Sequence, residues 1–205
     1  MIDATGFITA GGRSSRMGED KAWLKIGGSS MIERVIAALM PVTTSVAIIA
    51  NQPGYSRLGL PVFSDENPGI GPLEAIRTGL ENALTSRIVL VGCDLPFVTS
   101  DLFRFLLSIE NQCGQNYQTI VPIGPNGKSE PVCAIYSVES LEAVRLLIAS
   151  GRRRISLLFD RVPTRLVEFE ELSHLEGADL FFKNVNTRDD YLQAIAAAKK
   201  HSPLG

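Results

Sequence analysis

The sequence has only three cysteines, and their positions suit neither a disulfide framework nor a metal site. Cys93, Cys113 and Cys133 are odd in number, lie far apart and form no C-x-x-C pair. The two histidines, His174 and His201, stand at no zinc-ligand spacing from these cysteines. The composition therefore predicts reduced thiols in a cytoplasmic protein and argues against a zinc site.

Long apolar runs and an excess of positive charge are also missing. No apolar run approaches the roughly 20 residues that a helix needs to span a bilayer. The N-terminus, Met1–Thr5, lacks the basic region of a signal peptide. The formal net charge is −2, so the chain has no overall basic field for nucleic acid. We therefore expect neither a membrane nor a nucleic acid among its partners.

Two common phosphate-binding motifs are absent as well. A dinucleotide fingerprint needs G-x-G-x-x-G, whereas Gly11 and Gly12 are adjacent here. A P-loop needs a glycine five positions before its G-K-[ST] element, but Pro122 stands at that distance before Gly127-Lys128-Ser129. The stretch around Gly127 lies between two apolar runs and is interpreted as a hairpin turn.

What the chain does have is the composition and alternation of an α/β domain. Its 205 residues are 45% hydrophobic and 20% charged, which predicts a single globular domain over residues 1–205. Helical patterns alternate with strand-like runs, which favours a mostly parallel sheet, with an antiparallel pair making it mixed. Ser29 is the expected N-cap of the first helix. The predicted strands are Phe7–Ala10, Val46–Ala50, Pro61–Ser64, Ile88–Val91, Gln118–Ile123, Val132–Tyr136 and Phe181–Val185.

A glycine-rich stretch follows the first predicted strand. Gly11 and Gly12 allow a ligand to approach bare backbone N–H groups. Arg13, Arg16 and Lys21 add positive charge around those amides. Backbone donors and fixed cations on one loop suit a polyphosphate, because charge-assisted contacts to phosphate oxygens are strong.

Other polar residues follow the predicted strands directly: Asn51, Asp65 and Asp94. Each alone has an ordinary interpretation as a turn or cap residue. Ligands of open parallel sheets bind outside the carboxyl ends of the strands, so the group together predicts a site there. Asp94 follows the most apolar strand and is the predicted Mg²⁺ ligand, because magnesium takes one or two carboxylates together with substrate phosphates.

The glycine-rich stretch Thr9–Lys21 resembles the L-A-G-G-x-x-x-R-M-G-x-D-K signature of nucleotidyltransferases, in the form found in the guanylyltransferases of molybdenum cofactor. Thr9 replaces the usual leucine. Further elements of that family follow in its order: Gly71-Pro72-Leu73, Cys93-Asp94-Leu95-Pro96, Gly151-Arg152-Arg153-Arg154 and Asn184-Val185-Asn186-Thr187. The resemblance implies a three-layer α/β/α Rossmann-like fold and transfer of GMP from GTP to the phosphate of molybdenum-molybdopterin, with Mg²⁺ as cofactor.

The resemblance also implies roles for individual residues. Arg16, Lys21 and Asp94 would be catalytic, and Asp94 would hold the metal ion. Four residues would face the acceptor: Arg153, Arg154, Asn184 and Asn186. The arginines have an equally good interpretation as a solvated helix end. Nucleotide contacts would come from Thr9, Ala10, Gly11, Gly12, Arg13, Lys21, Asn51, Asp65, Gly71 and Asp94. Proteins that deliver molybdenum cofactor would be the expected partners.

Other functions stay open at this point. The chain could activate a different phosphorylated metabolite, such as a sugar phosphate or phospholactate, or use CTP on molybdopterin. It could also be a non-catalytic nucleotide-binding module, although such a module needs no metal ligand at Asp94. A nicotinamide oxidoreductase is a poor candidate because G-x-G-x-x-G is absent.

Overall fold

The computed structural model describes residues 3–11, 20–113 and 116–201. Strands and helices alternate along the chain, as the sequence pattern predicts. The strands are β1 Ala4–Thr9, β2 Lys25–Ile26, β3 Ser29–Ser30, β4 Ser45–Ile49, β5 Val62–Phe63, β6 Arg87–Gly92, β7 Thr119–Pro122, β8 Cys133–Ser137 and β9 Thr164–Val167. The α-helices are α1 Met31–Leu39, α2 Pro72–Glu81, α3 Ser100–Cys113, α4 Leu141–Ala149, α5 Ser156–Phe159, α6 Phe169–Leu172 and α7 Arg188–His201.

Seven strands form the main sheet in the order β5-β4-β1-β6-β8-β7-β9. Strand β6, which contains the most apolar predicted strand, Ile88–Val91, lies in the middle, and all of its residues are buried. Strand β8 is antiparallel to both of its neighbours, while the other pairings are parallel. The carboxyl ends of the parallel strands therefore share one edge with the amino end of β8.

Helices cover both faces of this sheet. On one face Ile8 and Ile48 pack with side chains of α1 and α3. On the other face Phe7 and Ile49 pack with side chains of α2 and α4. Neighbouring residues of one strand thus serve opposite layers, as the pleat of a strand requires. The arrangement confirms the predicted three-layer α/β/α fold with a mixed, mostly parallel sheet.

The structure corrects two local predictions. Ser30, not Ser29, caps α1, in a capping box with Glu33. Ser29 is instead paired with Ile26 in the small β2–β3 hairpin. The predicted strand Phe181–Val185 does not form: these apolar residues follow a 3₁₀ turn, and Val185 donates its backbone N–H to the Asp94 carbonyl, 2.9 Å away. Burial of Phe181 and Val185 explains the apolar pattern without a place in the sheet.

A strand that the sequence pattern did not reveal, β9, completes the far edge of the sheet. Only its last residue, Val167, is fully buried, so the alternation typical of a strand is weak there. None of the helices in the described part of the chain is both long enough and apolar enough to cross a membrane.

Candidate active site

The glycine-rich loop leaves the sheet between two neighbouring strands. The Ala10 N–H donates to the Ile49 carbonyl and the Cys93 N–H donates to the Thr9 carbonyl, each over 2.9 Å. Gly11 has φ of 80°, a conformation that strongly favours glycine. The loop therefore starts at the carboxyl edge of the sheet, as predicted, and Gly11 lies where the chain turns away from β1. Gly12, Arg13 and Arg16 lie outside the described residues, and their predicted roles stay predictions.

Lys21 enters the site from a short 3₁₀ turn, Lys21–Trp23. Its ammonium group donates to Asp94 Oδ2 over 3.0 Å and to Asn186 Oδ1 over 2.7 Å. The Lys21 and Asp94 side chains are 15% and 23% exposed, so solvent reaches the pair only in part. Three residues that are distant in sequence therefore meet at one cation. All three were predicted site residues.

Asp94 is held at the end of β6 from two sides. Its backbone carbonyl accepts the Val185 N–H over 2.9 Å, which ties the segment carrying Asn186 to the central strand. Gly92 lies directly against the carboxylate: a Cβ built at that position would lie 2.4 Å from Asp94 Oδ1. Glycine at position 92 therefore leaves the space that the Asp94 side chain occupies.

Asn186 is fixed by the start of the last helix. The Asp190 carboxylate accepts the backbone N–H groups of Asn186 and Thr187, over 3.0 and 2.8 Å. The Thr187 hydroxyl accepts the Asp190 N–H over 3.1 Å in return. Thr187 and Asp190 thus form a capping box with Asp in place of the usual Glu. These hydrogen bonds also lower the pKa of Asp190, so it stays ionised as a cap. The nearby Asn184 is half-buried, and Asn186 is exposed.

A second polar group lies after β4 and β5. Asn51 Oδ1 accepts the Asp65 N–H over 2.8 Å, and Asp65 Oδ1 accepts the Thr78 hydroxyl over 2.7 Å. Burial raises the pKa of Asp65, and the Thr78 hydrogen bond acts in the opposite direction. Gly71 precedes α2 at its N-cap position. The structure therefore joins Asn51 to Asp65, as the strand-end argument predicts.

The loop between Asp65 and α2 is anchored by buried charges. Glu74 accepts hydrogen bonds from the Asn67 backbone and from the guanidinium group of Arg77, and Glu74 is only 1% exposed. Burial opposes ionisation of Glu74, but Arg77 and Asn67 together lower its pKa. A paired, hydrogen-bonded carboxylate can hold a loop in this way because both charges have partners.

Arg153 and Arg154 lie apart from these contacts. Both are exposed, in the connection between α4 and α5. Within residues 3–11, 20–113 and 116–201, the structure shows no ion pair for either arginine. Their predicted contact with an acceptor stays a prediction.

One residue at this edge was not predicted from the sequence. Glu130 stands shortly before β8, and the neighbouring Val132 carbonyl accepts the Gly92 N–H over 2.8 Å. Burial, and to a smaller extent the charge of Asp94, raise the pKa of Glu130 from 4.5 to about 7. The signal was available in the predicted hairpin around Gly127, because a hairpin after a parallel strand returns the chain to the same edge of the sheet.

The oxygen atoms of Asp94 and Asn186 already converge on one cation, the Lys21 ammonium. No cluster of three or more His, Cys, Asp or Glu side chains suited to a metal ion occurs among the described residues. One carboxylate and one amide oxygen would nevertheless fit Mg²⁺, which commonly keeps several waters and binds substrate phosphates. The donor chemistry is therefore compatible with the predicted metal.

Comparison with known families decides what kind of protein carries this site. The model of the MobA-like NTP transferase domain matches residues 6–163, which include the glycine-rich loop, Lys21 and Asp94. The chain belongs to this family. It is therefore a nucleotidyltransferase, as the resemblance of its motifs implies.

Individual relatives agree with this family assignment. The chain is 35% identical over 191 residues to a probable molybdenum cofactor guanylyltransferase of Carboxydothermus hydrogenoformans, covering 93% of this chain and 94% of the relative. The crystal structure of molybdopterin-guanine dinucleotide biosynthesis protein A from Archaeoglobus fulgidus has a TM-score of 0.80, at 22% identity, over 96% of this chain and 99% of that one.

The fold is shared beyond the MobA-like proteins. The structure of 2-C-methyl-D-erythritol 4-phosphate cytidylyltransferase from Thermus thermophilus has a TM-score of 0.71 at 19% identity, covering 97% of this chain and all of that one. That protein is named for cytidylyl transfer. The fold alone therefore does not select the nucleotide base.

Proposed function

We propose that this protein transfers GMP from GTP to the terminal phosphate of molybdenum-molybdopterin and releases pyrophosphate. The observation that carries the proposal is the meeting of Lys21, Asp94 and Asn186 beside the glycine-rich loop. The guanylyltransferase names of relatives such as the Carboxydothermus hydrogenoformans protein support the choice of substrates.

In this proposal the protein positions the reacting phosphates and stabilises the negative charge that develops on them. Backbone N–H groups from Gly11 to Arg13 hold the triphosphate, because the Ala10 N–H already donates to the Ile49 carbonyl. Arg16 faces the departing pyrophosphate. The Lys21 ammonium stabilises negative charge that develops around the α-phosphate. Asp94 and Asn186 hold Mg²⁺, which when bound supplies charge neutralisation and orientation of the reacting phosphates. These contributions are the ones that phosphoryl-group transfer requires most.

The acceptor needs no strong general base. A phosphate monoester has a second pKa of about 6, so it is largely dianionic at neutral pH. Its oxygen forms a bond to the α-phosphorus of GTP while the bond to the bridging oxygen of pyrophosphate breaks. Asn184, Asn186, Arg153 and Arg154 are proposed to contact this acceptor. Proteins that deliver molybdenum cofactor are proposed to receive the product.

Guanine selection is proposed to involve Asp65. Thr78 donates to Asp65 Oδ1, whereas the structure shows no hydrogen bond to Oδ2 from any described residue. The Asp65 carboxylate could accept hydrogen bonds from the N1–H and N2–H₂ groups of guanine. A ribose hydroxyl is an equally good donor to the same carboxylate. Asn51 and Gly71 would border the same pocket.

The proposed compartment is the cytoplasm. Cys93 and Cys133 are free and buried. Burial raises the pKa of both thiols, that of Cys93 to about 12, so both stay protonated and unreactive. Reduced thiols of this kind fit the reducing interior of a cell.

The direct test is incubation of the purified protein with Mg²⁺, molybdenum-molybdopterin and GTP labelled at the α-phosphate. We expect label in the cofactor product, release of one pyrophosphate per transfer, and loss of both when a chelator removes Mg²⁺. Parallel reactions with CTP, and with a sugar phosphate or phospholactate as acceptor, test the alternatives. Equal competition by CTP would contradict guanylyl specificity, and GTP binding without pyrophosphate release under any acceptor would favour a binding module.

A further inference from the structure

Asp20 binds two different parts of the chain with its two carboxylate oxygens. Oδ1 accepts the Ala22 N–H over 3.1 Å and so caps the 3₁₀ turn that carries Lys21. Oδ2 accepts the hydroxyl group of Tyr55 over 2.5 Å. The short turn around the lysine is therefore fastened to a residue that lies 35 positions further along the chain.

Tyr55 is well suited to this contact. It begins a second 3₁₀ turn, Tyr55–Leu58, between β4 and β5, and it is only 1% exposed. Burial and the nearby Asp20 carboxylate both raise the pKa of Tyr55 above its usual range. The phenol therefore stays protonated and remains a hydrogen-bond donor across the working pH range.

Ring contacts reinforce the connection between the two turns. The Trp23 and Tyr55 rings stack with centroids 5.3 Å apart and an interplanar angle of 28°. The Arg57 guanidinium carbon lies over the Trp23 ring, 3.4 Å from its centroid. Cation–π contacts of this kind add to the packing energy. The Lys21–Trp23 and Tyr55–Leu58 turns thus pack as one unit.

The packing of these two turns determines which groups the Lys21 ammonium can reach. Lys21 is the first residue of the capped turn, and its ammonium group must meet both Asp94 and Asn186. Tyr55 lies in the same connection between β4 and β5 as Asn51, which bonds to Asp65. A displacement of the turn by one ångström can cost up to about a hundredfold in rate when a charged group acts on a reacting centre.

We propose that Tyr55 is a positioning residue for Lys21, which it holds in place through Asp20. The hydroxyl group fixes the Asp20 carboxylate, the carboxylate caps the turn, and the turn directs the lysine ammonium toward Asp94. Because Tyr55 is only 1% exposed, its proposed role is exerted through Asp20 and not on a substrate directly. The catalytic part of this inference rests on the proposed GMP transfer, whereas the structural part does not.

The first experiment compares Tyr55→Phe, Asp20→Ala and the double variant. Tyr55→Phe keeps the ring and removes only the hydroxyl, so we expect kcat to fall by about tenfold while the KM for GTP changes by less than about twofold. On the Asp20→Ala background the same change should have no further effect, because its partner is already gone. Full additivity of the two losses, or an unchanged kcat in Tyr55→Phe, would overturn the proposal.

Tyr136→Phe is the matched control. Tyr136 is also a buried tyrosine, and its hydroxyl donates to the Pro131 carbonyl over 2.6 Å. Loss of that bond should lower stability by an amount similar to the loss in Tyr55→Phe and leave kcat unchanged. An equal fall of kcat in both variants would mean that Tyr55 acts only through general stability, contrary to the proposal.

The second experiment does not depend on the substrate. Trp23 is the only tryptophan in the chain, so intrinsic emission reports on the contact with Tyr55. We expect acrylamide to quench Trp23 more strongly in Tyr55→Phe and Asp20→Ala than in the wild type or Tyr136→Phe. Unchanged quenching would overturn the proposed coupling of the turns. If the wild type transfers no GMP, the proposed function fails, and the quenching result still decides whether Tyr55 and Asp20 couple the two turns.

Discussion

The two halves of the main sheet hold their polar residues in different ways. In the parallel half, β5-β4-β1-β6, the residues at the carboxyl edge bond to one another, as in the chain from Asn51 to Asp65 to Thr78. In the mixed half, β8-β7-β9, Glu130 has no side-chain hydrogen bond to a described residue, and Arg153 and Arg154 on the adjoining α4–α5 connection are exposed. The polar residues of the parallel half therefore have partners within the protein, whereas the side chains of Glu130, Arg153 and Arg154 have no hydrogen-bond partner among the described residues.

The largest effect should come from the boundary between the halves, where Asp94 follows β6. Asp94→Asn removes the charge that pairs with Lys21 and would bind Mg²⁺, so we expect GMP transfer to fall by about a thousandfold or more. Circular dichroism should show an unchanged fold. Asp101→Asn, at an exposed carboxylate on α3, is the control and should keep full activity. Near-normal turnover of Asp94→Asn would remove the metal role.

A smaller loss is expected at Asn186, which reaches the boundary from outside the sheet. Asn186→Ala removes one of the two oxygens that hold the Lys21 ammonium, and a charged hydrogen bond of this type corresponds to roughly ten- to a hundredfold in kcat. Steady-state kinetics on purified protein measure the change. Asn116→Ala, at an exposed asparagine, should have no effect. If the two variants behave alike, Lys21 does not depend on Asn186.

The comparison between halves is tested most directly by opposite effects on KM. Asp65→Ala should raise the KM for GTP by about tenfold with little change in the KM for the acceptor, because it removes the proposed nucleotide contact of the parallel half. Arg153→Ala combined with Arg154→Ala should do the reverse. Initial rates with each substrate varied in turn separate the two results. An increase in both KM values for either variant would show that the halves do not divide the substrates.

The smallest expected effect concerns stability and pH. Because the pKa of Glu130 is raised from 4.5 to about 7, the folded state binds the proton more tightly than the unfolded state. Glu130 therefore lowers stability as pH rises through this window, and the loss is complete above about pH 7. Glu130→Gln should unfold about 2–4 °C higher than the wild type at pH 8, equivalent to about 1 kcal/mol after allowance for solvent screening.

At pH 4 the Glu130→Gln variant and the wild type should unfold at nearly the same temperature, since the carboxyl is protonated in both states of the wild type. Thermal unfolding followed at the two pH values is the measurement. Glu176→Gln, at an exposed glutamate, is the control and should show no such difference. A gain of the same size at pH 4 would contradict the assignment to ionisation.

The polar residues of the parallel half could be predicted from the sequence, because one rule determines where they lie. Residues that directly follow parallel strands must share an edge, and this placed Asn51 and Asp65 together and put Asp94 at the middle strand. This rule alone does not find Glu130, because β8 runs antiparallel and brings the residues before it, in the predicted hairpin, to the same edge. Antiparallel pairing of β8 was expected. Whether the residues before β8 lie near Asp94, however, depends on which strands are its neighbours in the sheet.

The predicted strand Phe181–Val185 was wrong because buried apolar residues also occur in irregular backbone. Phe181 and Val185 are as apolar as a strand, yet the backbone there bonds to Asp94 rather than to a neighbouring strand. Strand β9 is a true strand without a strand-like apolar pattern, because it lies at the edge of the sheet and buries little surface. The contact between Asp20 and Tyr55 joins two loops, and loop contacts have no periodicity that a sequence pattern can reveal.

The space beside Gly92 makes the enzyme sensitive to a single methyl group. An alanine there would keep an allowed backbone, because Gly92 is not among the glycines with positive φ. Its Cβ would lie 2.4 Å from Asp94 Oδ1, at the tip of a side chain that can rotate away at little cost to folding. Gly92→Ala would thus turn the carboxylate away from Lys21 while the rest of the cleft persists. We therefore expect this variant to fold normally and to turn over slowly, because Lys21 would lose its carboxylate partner.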